Sequence, residues 1–126
     1  MTLDDYFRLV DGLLSNLDIA YARQVSYDKR SHDTGFVRGQ IIFVDGSVLH
    51  LREFVAVEQQ IERYTYAYHY QRSDGSLIFR YDRTPHFPYL PNFPHHKHVH
   101  VETNVISASE PDLFGVIDEI RRFFLD

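Results

Sequence analysis

Hydrophobic residues near both ends of the chain recur at a helical spacing of three or four positions. The N-terminal set is Leu3, Tyr6, Phe7, Val10, Leu13, Leu14 and Leu17. Thr2 and Asp5 form the pattern of a capping box, which marks a helix start. The C-terminal set, which follows Pro111, is Leu113, Val116, Ile117, Ile120, Phe123 and Phe124. We therefore predict one amphipathic helix at each end.

Between these helices lie runs rich in Val, Ile, Tyr and Phe, residues that favour strands. The runs cover residues 19–28, 35–44, 47–57, 60–72 and 76–82. Short connections between successive runs favour antiparallel neighbours. We predict an α+β fold: one domain over residues 1–126, in which a meandering antiparallel sheet of about five strands packs against both helices.

An Asp-Gly pair between two of the runs predicts a hairpin and its register. A two-residue loop at Asp74-Gly75 places His69 opposite Arg80. One face of this hairpin is then aromatic, with Tyr64, Tyr66, Tyr68, Tyr70, Leu77, Phe79 and Tyr81. Such a stripe is either a platform on which RNA bases stack or the core-facing side of the sheet. The opposite face presents His69, Arg80 and Asp82.

A second Asp-Gly pair, Asp45-Gly46, predicts a further hairpin. With the same two-residue loop, Arg38 lies opposite Glu53. Both faces of this hairpin are mixed in polarity, so the pattern leaves open which of them is buried. Cross-strand ion pairs of this kind are common on exposed surfaces and contribute little to stability.

The segment from Thr84 to Pro94 has a proline at every third position, namely Pro85, Pro88, Pro91 and Pro94. A period of three matches the turn of a polyproline II helix. We predict a stiff arm that crosses the sheet and delivers the His-rich residues 95–100 to a defined place.

Histidines at alternate positions dominate that last segment. In an extended strand, His96, His98 and His100 lie on one side. Three imidazoles can bind zinc or nickel, with Asp82 or His86 completing the ligand set. They can equally serve as general base and general acid, or form a surface tract that only hydrogen-bonds carbonyl groups.

The predicted catalytic residues are His69, Arg80, Asp82, His96 and His98. Arg80 can stabilise a phosphate in its transition state, and Asp82 can orient a histidine; an ordinary polar network is the alternative for this face. The predicted substrate contacts are Glu53, Tyr68, His86, His95 and Lys97. No cofactor is required by this reading, but a divalent transition metal remains an option, with Asp82, His96, His98 and His100 as its ligands.

Composition narrows the classes of function. Absence of cysteine excludes disulfides and thiolate chemistry, and a formal net charge of −5 disfavours bulk coating of nucleic acid. Residues 63–100 nevertheless carry five basic and two acidic side chains and six of the eight histidines. With no long apolar run, and acidic residues at the N-terminus, we expect a soluble cytoplasmic protein.

Several of these motifs together resemble the TumE toxin family, formerly a domain of unknown function. The resemblance is carried by residues 45–47, 52–55, 66–71, 74–82 and 93–99, with Pro85-His86 between the last two. It implies a small cytosolic prokaryotic toxin of a type II toxin–antitoxin module, encoded beside a helix-turn-helix antitoxin.

Our leading hypothesis is therefore a ribonuclease toxin with the antitoxin and RNA as partners. One histidine takes the proton of the 2′-hydroxyl, another protonates the leaving oxygen, and Arg80 or Lys97 stabilises the phosphorane. The alternatives are a metal-dependent hydrolase or nuclease and a non-enzymatic protein-binding module. We predict no membrane association and leave a homodimer open.

Overall fold

Two helices and seven antiparallel strands make up the part of the chain that the computed structural model describes, residues 1–85 and 87–125. The elements are α1 (Leu3–Ser15), β1 (Ala20–Lys29), β2 (Thr34–Phe43), β3 (Val48–Val57), β4 (Ile61–Gln71), β5 (Leu77–Asp82), β6 (His96–Val99), β7 (Val101–Ser107) and α2 (Leu113–Arg122). The predicted α+β class is confirmed. The sheet has seven strands instead of about five, because the His-rich segment and the residues after it form β6 and β7. Predicted contact residue His86 lies outside the described residues.

The strands form one sheet in the order β1 to β7, so each strand pairs with its neighbours in sequence. Both helices pack on one face of this sheet. The capping box of Thr2 and Asp5 starts α1, as predicted, and the Asp112 side chain caps α2 by accepting from the Gly115 N–H. Neither helix within the described ranges is long and apolar enough to cross a membrane.

Both Asp-Gly hairpins have the same type of turn, a three-residue loop instead of the predicted two-residue loop. In the first, the Phe43 carbonyl accepts from Gly46 N–H at 2.9 Å, and Gly46 has a φ of 86°. The predicted Arg38–Glu53 pair is therefore wrong by one residue: Arg38 lies opposite Arg52, and Glu53 opposite Val37.

In the second hairpin a bulge after Tyr70 restores the predicted register. The loop closes in the same way, through the Gly75 N–H and the Arg72 carbonyl. Because the bulge adds one residue to β5, His69 lies opposite Arg80 and Ala67 opposite Asp82, which confirms those predicted pairs.

The proline-rich segment does not form the predicted polyproline II arm. That helix has no internal hydrogen bonds and needs negative φ throughout. Here the Phe87 carbonyl accepts from Leu90 N–H at 3.1 Å, and the Asn92 carbonyl accepts from His95 N–H at 2.9 Å. Asn92 also has a φ of 64°. The segment is thus a series of compact turns ahead of β6.

Most of the predicted aromatic stripe is core, as one of the two interpretations held. Tyr64 is the exception: it is 46% exposed, because the pairing of β3 and β4 shifts register there. Tyr66, Tyr68 and Tyr70 are buried on the side that the helices cover. The other side of the sheet, which we call the open face, carries the polar residues of the same strands.

Candidate active site

Side chains on the open face form rows across the strands, because directly paired residues of an antiparallel sheet point to the same side. One row is Gln40, His50, His69, Arg80 and His98, from β2 to β6. The adjacent row is Arg38, Arg52, Ala67, Asp82 and His96. These two rows bring all five predicted catalytic residues onto one face.

A shallow pocket of about 270 Å³ occupies the middle of these rows. Its lining consists of His50, Leu51, Arg52, Ala67, His69 and Arg80. The ring centroids of His50 and His69 are 6.0 Å apart, and the small side chain of Ala67 leaves the centre open. Two imidazoles and two guanidinium groups thus surround a space suited to a phosphate group.

His69 has the protonation behaviour of a general base. Burial lowers its pKa below the ordinary 6.5, and the neighbouring charge of Arg80 lowers it further. The ring is therefore mostly neutral at pH 7, with one nitrogen able to accept a proton.

Asp82 organises the inner side of the pocket. Its carboxylate accepts from Arg80 Nε at 3.0 Å and from the Thr84 N–H at 3.1 Å, and it lies 2.7 Å from His96 Nε2. Asp82 and His96 are both buried, at 5% and 2% exposure. Asp82 therefore positions Arg80 from behind, while the Arg80 guanidinium remains partly exposed in the pocket.

The two buried histidines are oriented through their other ring nitrogens. His96 Nδ1 lies 3.0 Å from the Pro94 carbonyl, and His98 Nδ1 lies 2.7 Å from the Glu102 carbonyl. A carbonyl oxygen can only accept, so each Nδ1 carries a proton and donates it. With Nδ1 held at a carbonyl, each Nε2 is directed toward Asp82. Both nitrogens of His96 thus face hydrogen-bond acceptors, the Pro94 carbonyl at Nδ1 and the Asp82 carboxylate at Nε2.

Asp82, His96 and His98 each offer one ligand atom, and the three atoms lie within 4.8 Å of one another. The fourth predicted ligand, His100, does not belong to this group. It lies between β6 and β7, has a φ of 66° and is exposed, so the alternation that the sequence predicted ends at Val99.

A family model described as toxin TumE matches residues 10–124 of the 126-residue chain. The chain belongs to the TumE toxin family. Searches of curated proteins and of solved structures found no significant match. Family membership makes the protein a toxin and indicates an antitoxin as its partner.

Two predicted substrate contacts of this TumE family protein lie in its core instead. Glu53 and Tyr68 are fully buried on the face covered by the helices. The Glu53 carboxylate accepts hydrogen bonds from the hydroxyls of Tyr6 and Tyr68 and from Arg63. Both residues are inaccessible to a macromolecular substrate, because odd positions of β3 and the β4 residues Tyr66, Tyr68 and Tyr70 face the helices.

His95 and Lys97 also lie on the helix-covered side of the TumE sheet. His95 stacks on Tyr66, and its Nδ1 is 2.7 Å from the Tyr66 hydroxyl. Lys97 donates to Glu119 of α2 at 2.7 Å. Burial alone would lower the pKa of Lys97, but the hydrogen bond to Glu119 raises it above the ordinary value. These two side chains therefore do not join Arg80 at the pocket.

A second aromatic stripe, which consists of Phe36, Phe54 and Tyr64, continues the open face beyond the pocket. The rings of Phe36 and Phe54 are 4.6 Å apart, and those of Phe54 and Tyr64 are 5.7 Å apart. Arg38 lies over Phe36, with its guanidinium carbon 4.7 Å from the ring centroid. Single-stranded nucleic acids stack on aromatic rings beside guanidinium groups. Of these three rings, Tyr64 is exposed, and Phe36 and Phe54 are half-buried.

Sequence reasoning missed two pocket residues, His50 and Arg52. Both precede Glu53 on β3, and the one-residue register error at Asp45-Gly46 set them opposite Ile41 and Gly39 instead of Gln40 and Arg38. Since Gln40 lies opposite His50, and His50 opposite His69, a correct register of β2, β3 and β4 would have found them.

Proposed function

We propose that this TumE family toxin is an endoribonuclease that cuts single-stranded RNA without a metal cofactor. The single observation that carries the proposal is the pocket in which His50, His69, Arg52 and Arg80 face one another on the open face. In this proposal a helix-turn-helix antitoxin silences the activity, as the family resemblance implies.

The proposed step is attack of a ribose 2′-hydroxyl on the adjacent phosphorus. Neutral His69 takes the hydroxyl proton, and the 2′ oxygen forms a bond to phosphorus. The bond from phosphorus to the 5′ oxygen breaks, and protonated His50 supplies the proton that this leaving oxygen needs. The products are a 2′,3′-cyclic phosphate and a free 5′-hydroxyl, so atoms and charge balance.

Arg80 and Arg52 stabilise the extra negative charge that the phosphorane carries. A guanidinium offers paired N–H donors that match phosphate oxygens. The Asp82 carboxylate holds Arg80 Nε at 3.0 Å, which fixes the direction of its remaining donors before substrate binds. This preorganisation makes Asp82 a positioning residue rather than a catalytic one.

RNA binding extends from the pocket along the open face. The stripe offers unpaired bases the exposed Tyr64 ring and the half-buried rings of Phe36 and Phe54, and Arg38 lies between the stripe and the pocket. A paired duplex presents no free base faces, so this surface favours single strands.

The first test is cleavage of a labelled single-stranded RNA by chelator-treated protein. We expect wild type to cut and to leave cyclic phosphate ends, and His69→Asn and His50→Asn each to lose at least 100-fold in rate. His32→Asn is the matched control, because His32 lies in the exposed β1–β2 turn with 91% of its side chain accessible. An RNA with a single 2′-deoxy sugar at the cut site should stay whole. Cutting at that deoxy position would disprove 2′-hydroxyl attack.

A steric test addresses the pocket itself. Ala67→Leu would fill the space between His69 and Arg52, so we expect the folded variant to lose cleavage. Ala22→Leu is the matched control, because it makes the same change at an exposed position of β1 outside the pocket and the stripe. Equal activity in both variants would show that the reaction takes place elsewhere.

A further inference from the structure

The buried cluster of Asp82, His96 and His98 has a geometry that the proposed cleavage reaction does not require. The reaction uses the exposed pocket, whereas His96 and His98 are buried at 2% and 8% exposure. The Phe87 ring packs against both of them, with centroids 4.9 and 6.1 Å from the two imidazoles.

The three groups converge with their ligand atoms inward. His96 Nε2 is 2.7 Å from one Asp82 oxygen, and His98 Nε2 is 3.9 Å from the other. Tetrahedral ligands at about 2.0 Å from a zinc ion lie about 3.3 Å from one another. The three ligand atoms lie within 4.8 Å of one another, so the side chains must move closer together to enclose an ion.

Hydrogen bonds to backbone carbonyls set the orientation of each histidine. The carbonyls of Pro94 and Glu102 accept from the Nδ1 atoms, which leaves each Nε2 as the inward nitrogen. Histidine ligands of metal ions are held in this way, with the second ring N–H on a carbonyl or carboxylate. A surface histidine tract would not require both imidazoles to direct Nε2 toward the same carboxylate.

We propose that Asp82, His96 and His98 bind one divalent transition-metal ion, with zinc the best match to two imidazoles and a carboxylate. The ion takes the place of the proton between His96 Nε2 and Asp82, and one carboxylate oxygen remains available to Arg80. A water molecule supplies the fourth ligand. Because its ligands come from β5 and β6, the ion ties these two strands together behind the pocket.

The direct test is titration of chelator-treated full-length protein with Co²⁺, followed by visible absorption, and then displacement by Zn²⁺. We expect one ion per chain and ligand-field bands that zinc removes. We also expect Zn²⁺ to raise the melting temperature, since an ion that binds only the native state stabilises it. No stoichiometric binding by wild type would overturn the proposal.

Variants then locate the site. His98→Gln and Asp82→Asn should each weaken Co²⁺ affinity at least tenfold, whereas His100→Gln should not. His100 is the matched control because it lies two residues from His98 but is exposed and outside the cluster. Loss of binding in the His100 variant with retention in the His98 variant would contradict the assignment.

A readout on wild type covers the case in which a buried variant fails to fold. Nitrogen-15 spectra of the histidine rings should show zinc-dependent shifts of Nε2 in His96 and His98 and little change in their Nδ1 signals. Shifts confined to other histidines would overturn the site. All these measurements omit RNA, so their failure is separate from failure of the cleavage test.

Discussion

Glu53 is the charged residue on which the packing of α1 against the sheet depends. Its side chain is inaccessible to solvent and accepts from two tyrosine hydroxyls and from Arg63, whose side chain is 11% exposed. Burial and the Glu53 charge raise the pKa of Tyr68 well above the ordinary value, so its hydroxyl stays a donor. This network joins α1, β3 and β4 beneath the pocket.

We expect Glu53→Gln to destabilise the fold by about 3 kcal/mol, because it leaves the partly buried Arg63 without its counter-charge. Urea unfolding of both proteins measures the difference. Glu62→Gln, an exposed change on β4, should stay within about 0.5 kcal/mol of wild type. If Glu53→Gln proved as mild as that control, the network would be dispensable.

His69 is the residue whose titration reports on the pocket. Burial and Arg80 lower its pKa, whereas Glu102 and a hydrogen bond that the ring donates to Gln71 act in the opposite direction. A lowered pKa means that the unfolded chain binds more protons than the native one, so stability declines as pH falls from about 6.5 through the native pKa.

Removing the charge of Arg80 should raise the His69 pKa toward 6.5. Proton NMR titration of the His69 ring in wild type and Arg80→Gln, both in chelator, measures the change. The exposed His32 ring should titrate identically in the two proteins. A His69 pKa that does not move would mean that Arg80 exerts no field on the pocket.

At the scale of elements, the twin Asp-Gly turns decide which side chains meet. Gly46 and Gly75 have φ values of 86° and 89°, a left-handed conformation that disfavours any residue with a Cβ. A Cβ on Gly75 would meet no atom within 4 Å, so the cost of a side chain there is conformational alone.

Gly75→Ala should therefore destabilise the protein by about 1 kcal/mol. Gly12 in α1 is the matched control, since its added Cβ also meets nothing within 4 Å but its backbone is helical. Gly12→Ala should stabilise by up to about 1 kcal/mol. Chemical denaturation of the two variants tests both signs, and destabilisation by Gly12→Ala or none by Gly75→Ala would contradict the argument.

The elements that sequence predicted correctly are those with strong local signals. The capping box, the two amphipathic helices and the strand runs before Asp82 depend on residues close in sequence. The bulge after Tyr70 has no such signal: the two turns share the tripeptide Asp-Gly-Ser, yet only the second hairpin has the bulge near its turn. Packing across the sheet decides this difference. Because the first hairpin lacks such a bulge, Arg38 lies opposite Arg52 and not opposite Glu53.

The same limit explains the predicted site. Periodicity correctly grouped His69, Arg80 and Asp82, because one hairpin contains them all. It could not place Lys97 and Glu53 on the helix-covered face, because that depends on where the helices pack. It could not bring His50 to His69 either, because no Asp-Gly turn fixes the register of β3 against β4 and the pairing shifts between Phe54 and Val55.

At the scale of the whole molecule, charge is divided between the two faces of the sheet. The chain carries a net charge of −5, yet Arg38, Arg52 and Arg80 all point to the open face. On the helix side, the exposed Arg8 pairs with Asp5 at 2.7 Å. A negatively charged protein can therefore bind a polyanion, provided that it binds through the open face.

This division predicts a specific salt dependence of RNA binding. A single strand loses affinity with salt at a log–log slope of about 0.7 for each phosphate neutralised. Arg38→Gln and Arg52→Gln should each weaken binding of a non-cleavable 2′-O-methyl RNA and reduce the slope by about that amount, as measured by fluorescence anisotropy at several salt concentrations. Arg8→Gln removes the same charge from the helix side. If RNA contacts only the open face, this variant keeps the wild-type slope. An equal loss of RNA affinity in all three variants would mean that only net charge matters. That result would contradict the assignment of the open face as the RNA-binding surface.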